Sequence, residues 1–194
     1  MTIDIGPTFS TVILPTSSCQ LIMISSPTLS ASSVASSSRS GGYPDHVVIL
    51  YASETGNAQD TAERVAREFR RLGRQCVTTS MDMFDIVRNQ LGEPSQVNAD
   101  AQIDLPHIPL LILITSTHGR GDPPPAMLPL WTALLRTSLP EDILEDVNFA
   151  LFGLGDTSYE KFCFAGKMLA RRLEGMGAVK MGEPAWGDER APDG

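Results

Sequence analysis

Val47-Val48-Ile49-Leu50-Tyr51-Ala52-Ser53-Glu54-Thr55-Gly56-Asn57-Ala58 joins an unbroken apolar run to a polar, glycine-containing turn. A continuous β-prone run of this kind, with no polar alternation, reads as a strand buried on both faces. The turn opens onto a segment in which Ala62, Val65, Ala66, Phe69 and Leu72 recur at helical spacing as one apolar stripe. Gly73 is the expected helix stop. A buried strand, a small-residue turn and an amphipathic helix make the opening of a parallel α/β sheet.

The same grammar repeats downstream. Gln75–Thr79 reads as a short second strand and Met81–Arg88 as weakly helical. Leu91–His107 is polar and loop-like. Pro109–Ile114 is a third, more apolar strand, which breaks into Thr115-Ser116-Thr117-His118-Gly119-Arg120-Gly121-Asp122 and three prolines. A helix is expected from about Ala126 to Arg136, with Leu130, Leu134 and Leu135 inward. Asn148–Phe152 is the fourth strand, ending in Gly153-Leu154-Gly155-Asp156-Thr157-Ser158-Tyr159. The next helix carries Phe162, Ala165, Met168, Leu169, Leu173 and Met176, and Gly177 stops it. Ala178–Met181 is a fifth strand, and Trp186-Gly187-Asp188-Glu189 a last loop.

Strands alternating with helices imply right-handed crossovers in a parallel sheet. Five of them fit a doubly wound α/β sheet of order 2-1-3-4-5. That fold closes on a fifth helix, and nothing after Asp188 supplies it, so the last helix is expected to be missing. Residues 1–45 differ from the rest. Through Ser40 the only charges are Asp4 and Arg39, and serine dominates from Ser25. They read as a disordered leader, or as a wrongly assigned start of translation, before a domain over 46–194. A secretory signal wants a basic start and a mitochondrial presequence more arginine.

The chain has 194 residues, 42% of them hydrophobic, enough to build one core. A net charge of −8 argues against nucleic acid, which needs clustered cations, and leaves open either a basic protein partner or solubility alone. No apolar run approaches the ~18 residues of a membrane span. Cys19, Cys76 and Cys163 form no CxxC pair, which suits a reducing, cytoplasmic setting and speaks against a zinc site. His46, His107 and His118 are far apart and sit in no ligand motif, so no metal, nucleophile or general acid–base set is expected.

Ligands of open α/β sheets bind beyond the carboxyl ends of the strands, at the switch in strand order. Four special loops should converge there. Ser53, Glu54, Thr55, Gly56, Asn57 and Ala58 lead into a helix N-terminus, which favours a phosphate. No lysine follows, so a monophosphate held by neutral donors fits better than a triphosphate. An ordinary helix cap explains the same residues equally well. Ser116, Thr117, His118 and Gly119 can wrap and hydrogen-bond the edge of a flat ring. The third loop, Leu154, Gly155, Asp156, Thr157, Ser158, Tyr159, Glu160, Lys161, Phe162 and Cys163, offers Tyr159 to stack on such a ring. Core packing is the expected role of Phe162. The fourth loop offers Asp188.

These three loops and Asp188 resemble the FMN-binding, flavodoxin-like domain of NADPH-dependent diflavin oxidoreductases, over roughly His46 to Asp188. That family takes in microsomal cytochrome reductases, sulfite reductase flavoproteins and the reductase region of nitric oxide synthase. Gly119–Pro124 and Phe149–Tyr159 are similar to the cytosolic sub-family that feeds iron–sulfur cluster assembly. The resemblance implies FMN on the residues just named, with FAD and NADPH on domains absent from this chain. It implies a hydride from NADPH to FAD, and single electrons from FAD to FMN to an acceptor protein. The partners it implies are a FAD/NADPH reductase domain, in cis or in trans, and an acceptor such as an anamorsin-type iron–sulfur protein. Asp156 and Asp188 would disfavour a negatively charged reduced flavin. His118 stands where microsomal relatives place a stacking tyrosine, and Pro125-Ala126 replaces a polar pair. The alternatives are a shortened module that does not retain FMN and a stand-alone flavodoxin-type carrier. A phosphoacceptor receiver domain lacks its acidic residues here, since Ala52-Ser53 and Thr115-Ser116 occupy those positions. A quinone reductase of this fold has loops less like these.

Overall fold

The computed structural model describes residues 46–84, 86 and 110–190. Residues 1–45, expected as a leader, residues 91–107, expected as a polar loop, and the last four residues lie outside them. The sheet is parallel, with β1 (His46–Ala52), β2 (Gln75–Ser80), β3 (Leu111–Ser116), β4 (Asn148–Gly155), β5 (Val179–Lys180) and β6 (Ala185–Asp188). Its order is β2-β1-β3-β4-β5, with β6 also on β4, as the sequence implied.

Alternation along the strands builds two cores. Val47, Ile49, Ile112, Ile114, Ala150 and Phe152 face α1 (Asn57–Arg71), which buries Ala58, Ala62, Val65, Ala66 and Phe69 against them. Val48, Leu50, Leu111, Leu113, Phe149 and Leu151 face the other way. There they meet α2 (Leu128–Leu134) and α3 (Phe164–Glu174). At least two apolar layers are thus removed from water by strands with no polar face, which is why the strand sequences show no alternation.

Gly73 and Gly177 end α1 and α3 in the same manner. Both have positive φ, 75° and 91°. The Arg74 and Ala178 amides donate back to the Phe69 and Leu173 carbonyls, at 3.0 and 3.1 Å. This six-to-one closure needs a left-handed residue, which glycine supplies without strain.

Four expectations are corrected. Leu72 is not part of the buried stripe: it follows the last helical turn, as the chain turns away at Gly73, and is 56% exposed. Leu135 likewise caps α2 and is 50% exposed, while Ala133 takes the inward position. Before α2, Pro125–Met127 forms a 3-10 turn, because proline suits a helix start. Finally, Trp186–Asp188 is strand rather than loop, and Ala178–Met181 shrinks to Val179–Lys180. Both pieces pair with β4, and Met181–Pro184 stand opposite only Ala150 and Leu151. The fifth strand is therefore one edge interrupted by a two-residue excess, with Gly182 at φ 94° inside it. Of the weakly helical stretch Met81–Arg88, Met81–Met83 forms a 3-10 turn, and the residues from Val87 on lie outside the described ones.

Candidate functional site

The parallel register brings Ala52, Ser116, Gly155 and Asp188 to one edge of the sheet. A cleft of about 880 Å³ opens there. All four expected loops contribute to it. Glu54, Thr55, Gly56 and Asn57 come from the first, Ser116, Thr117, His118 and Gly119 from the second, and Leu154, Gly155, Asp156, Tyr159, Lys161, Phe162 and Cys163 from the third. Asp188 comes from the fourth. Ser53, Ala58, Thr157, Ser158 and Glu160 do not line the cleft. Three of these five shape the loops from behind.

Ser53 is the first. Its Oγ accepts the Gly56 amide at 2.9 Å and the Ala58 amide at 3.2 Å. Gly56 sits at φ 98° just before α1. Thr55 and Asn57, on either side of Gly56, line the cleft, and the amides at a helix start have no intrahelical acceptor. The loop is thus both a capped helix start and an acceptor site for an anion, with the cap supplied by Ser53 and the open donors by its neighbours.

Around His118 the second loop closes on itself. The His118 amide donates to the Asp122 carbonyl at 3.1 Å, and the Gly121 and Asp122 amides donate to the His118 carbonyl at 3.1 and 2.9 Å. Gly119 and Gly121 take φ of 53° and 102° to allow this. His118 Nδ1 is buried and lies 3.3 Å from Glu54 Oε2, without hydrogen-bond alignment. The two loops therefore meet through this contact. Thr117 ties the second loop to the third: its amide donates to the Leu154 carbonyl at 2.9 Å, and its Oγ1 accepts the Ala165 amide at 3.2 Å.

The third loop is held from below. Thr157 donates to Asp188 twice, from its amide at 3.1 Å and from Oγ1 at 2.7 Å, and the Arg190 amide adds a third bond at 3.1 Å. These bonds to its charged form, that of the Thr157 hydroxyl foremost, hold the Asp188 carboxyl below the ordinary carboxylate range. Asp156 is likewise lowered, chiefly by hydrogen bonds from Ser158. Phe162 was expected in the core of a helix. It precedes α3, is only half-buried and lines the cleft, with Lys167 Nζ 5.3 Å above its ring. Tyr159 lines the cleft and is 57% exposed, free to lie on a bound ring. Cys163 has the single positive φ among the described non-glycine residues, 51°. It packs so tightly under Gly155 that a Cβ there would lie 3.0 Å from the Cys163 amide nitrogen.

Asp60, Thr61 and Arg64 also line the cleft, as do Gly121, Phe152 and Glu189. Asp60, Thr61, Arg64 and Phe152 were missed from the sequence. Asn57, Asp60, Thr61 and Arg64 share one helical face at i, i+3, i+4 and i+7, and that spacing is the signal that finds them. Among the described residues no group of three or more His, Cys, Asp or Glu can hold a metal, and no helix is long and apolar enough to cross a membrane.

Open amides at a helix start, glycines that bare the backbone beside a slot and an aromatic at its rim suit a flat ring carrying one phosphate. With this strand order they define the flavodoxin-like class of α/β proteins. Residues 49–194 match the flavodoxin family, and the chain belongs to it. The flavodoxin domain is one that binds FMN. The NADPH-dependent diflavin oxidoreductase 1 of Cryptococcus neoformans var. neoformans serotype D (strain JEC21) is 69% identical over 147 residues, 76% of this chain and 21% of that protein. Its namesake in Schizosaccharomyces pombe is 39% identical over 149 residues, 77% of this chain and 23% of that one. The chain thus spans about a fifth of the length of these relatives. Among solved structures, a flavodoxin of Streptococcus pneumonia TIGR4 is similar with a TM-score of 0.55 and 26% identity, over 74% of this chain and 84% of that one.

Proposed function

We propose that this chain is the FMN-binding electron-transfer module of an NADPH-dependent diflavin reductase. The observation that carries the reading is the convergence of four loops on one cleft, in a chain whose similar relatives bear that name. The Thr55 and Asn57 amides and the α1 dipole would hold the phosphate. The backbone of Ser116–Gly119 and of Leu154–Asp156 would bond the ring edge. Tyr159 would cover one face, with His118 and Phe162 at the flanks. When bound, FMN supplies the redox chemistry, and the protein binds it and sets its potential. Ser53, Thr117 and Asp188 position the loops that do so.

A FAD/NADPH reductase domain, in cis or in trans, would deliver electrons singly, and an acceptor protein, an iron–sulfur protein of the anamorsin type, would take them. Iron–sulfur cluster assembly in the cytoplasm is the setting this implies. Among the described residues Cys76 and Cys163 form no disulfide, which suits a reducing compartment. The domain extends over 46–194, with residues 1–45 as a leader.

The test is an absorbance spectrum of protein purified from a host supplied with excess riboflavin, with the released flavin identified. Flavin bands with one FMN per chain are expected. Protein that stays colourless after FMN is added overturns the reading. Reduction by NADPH alone, with no reductase domain present, would overturn the assignment of FAD and NADPH to other domains.

A further inference from the structure

Charge is distributed unevenly along α1. Residues 64–74 hold five arginines and one glutamate, a net +4 within a chain of net −8, leaving −12 on the remainder. Arg64 belongs to the cleft, where it lies 3.9 Å from Asp60. Arg67, Arg70 and Arg71 lie further along at i, i+3 and i+4, on one exposed helix face. Arg71 pairs with Glu68 at 2.5 Å yet stays 72% exposed. Leu72, 56% exposed, stands beside them where the chain leaves the helix.

A cation or two in the last turn offsets the helix dipole, and that alone explains Arg70 or Arg71. It does not explain three arginines side by side, which repel one another, nor an exposed leucine among them. We infer that the far end of α1 is a docking surface for a short acidic segment of a partner protein. The arginine forks would grip its carboxylates, and Leu72 would receive one apolar side chain.

Charge complementarity selects this occupant and this place. The cleft carries Glu54, Asp60, Asp156, Asp188 and Glu189 against Arg64 and Lys161, so its balance is acidic and disfavours an acidic chain. At the usual helical rise Arg71 lies ~20 Å from Asn57 at the helix start, while Arg67 stands about one turn beyond Arg64 at the cleft edge. An acidic segment seated on the arginines leaves the cleft open. The stripe is also too small for nucleic acid or an anionic membrane. Three exposed arginines fall short of the several phosphate contacts such binding uses, and −12 elsewhere opposes an extended polyanion.

The test uses the full chain, loaded with FMN or not, since the stripe does not touch the cleft. Two fluorescein-labelled peptides serve as probes: one of glutamates around a central leucine, one of glutamates only. Binding is read by fluorescence anisotropy and located by amide chemical shifts. The leucine peptide should bind about fivefold tighter than its all-glutamate counterpart, shift amides of 67–75, and weaken as salt rises. The triple substitution Arg67→Gln, Arg70→Gln, Arg71→Gln should lower affinity ~tenfold or more. Leu72→Ser should abolish only the preference for leucine. Arg136→Gln, on the other side of the sheet, should change nothing. Circular dichroism checks each fold, and should the triple variant unfold, the three single substitutions carry the same expectation at smaller size. Peptide binding that ignores these substitutions, or shifts confined to the cleft, overturns the inference. So does duplex DNA or a phosphatidylserine vesicle binding the same arginines more tightly than the peptides.

Discussion

Asp188 shows how one carboxylate serves two ends. Its oxygens accept two bonds from Thr157 and one from Arg190, so it fastens the third loop to the last strand. The lowered pKa sets the pH dependence. A carboxyl whose folded pKa lies below its unfolded one adds stability above the unfolded value, and loses it as pH falls through the folded one. Asp188→Asn should therefore be less stable than the parent at neutral pH. Urea midpoints taken from pH 7 down to the acid limit of folding should converge as pH drops below ~4. A constant gap would remove the carboxylate charge from the account. In the FMN-loaded protein the same substitution should raise the flavin potential, because a negative charge leaves the cleft, and spectroelectrochemistry reads this directly. An unchanged potential would leave Asp188 with the positioning role alone. Gly155 makes a different demand. Its absent Cβ faces the Cys163 backbone, which cannot swing aside as a side chain would. Gly155→Ala should cost about 1–3 kcal/mol through overpacking, seen as a lower urea midpoint at unchanged slope. The residue types in these loops were legible in the sequence, whereas their division of labour was not. Ser53 and Thr157 look like ligand donors in one dimension, and only the fold shows their oxygens engaged with the protein itself.

At the scale of elements, what the sequence showed best was what burial enforces. The runs in β1, β3 and β4 are apolar because helices cover both faces, and among the described residues no loop imitates that pattern. The edge was harder to read. Ala185–Asp188 is short, half-exposed and contains glycine, so its strand character comes from pairing with β4 and not from its own residues. Leu72 and Leu135 misled for a related reason: helical spacing continues on paper past the residue where the backbone turns away. The α1 start yields a prediction of its own. Ser53→Ala removes the acceptor for two amides, a capping loss of ~0.5–2 kcal/mol. With that turn loosened, the affinity for FMN should fall while that for riboflavin, which lacks the phosphate, barely changes. Flavin fluorescence quenching measures both, and an equal loss for the two ligands would place the phosphate elsewhere.

For the whole molecule, the cleft is assembled from four segments that span Glu54 to Glu189. No segment makes it alone, so the ligand's binding energy must couple to the global fold and not to one loop. A ligand that binds only the native state stabilises it by about 2.7 kcal/mol at a hundred times its Kd. For a chain of this size that is a rise in Tm on the order of 5–10 °C. FMN should produce that rise, riboflavin a smaller one, and inorganic phosphate less still, since it touches only the first loop. The order of the three matters more than their size. Were phosphate alone to match FMN, the gain would come from α1 and its turn, and the second, third and fourth loops would add nothing. Were all three without effect, the cleft would not be a ligand site, and the glycines and open amides would have to be explained by the turns they form. Scanning calorimetry of the same preparation with each ligand in turn therefore weighs the loops against one another, which no single-residue variant does.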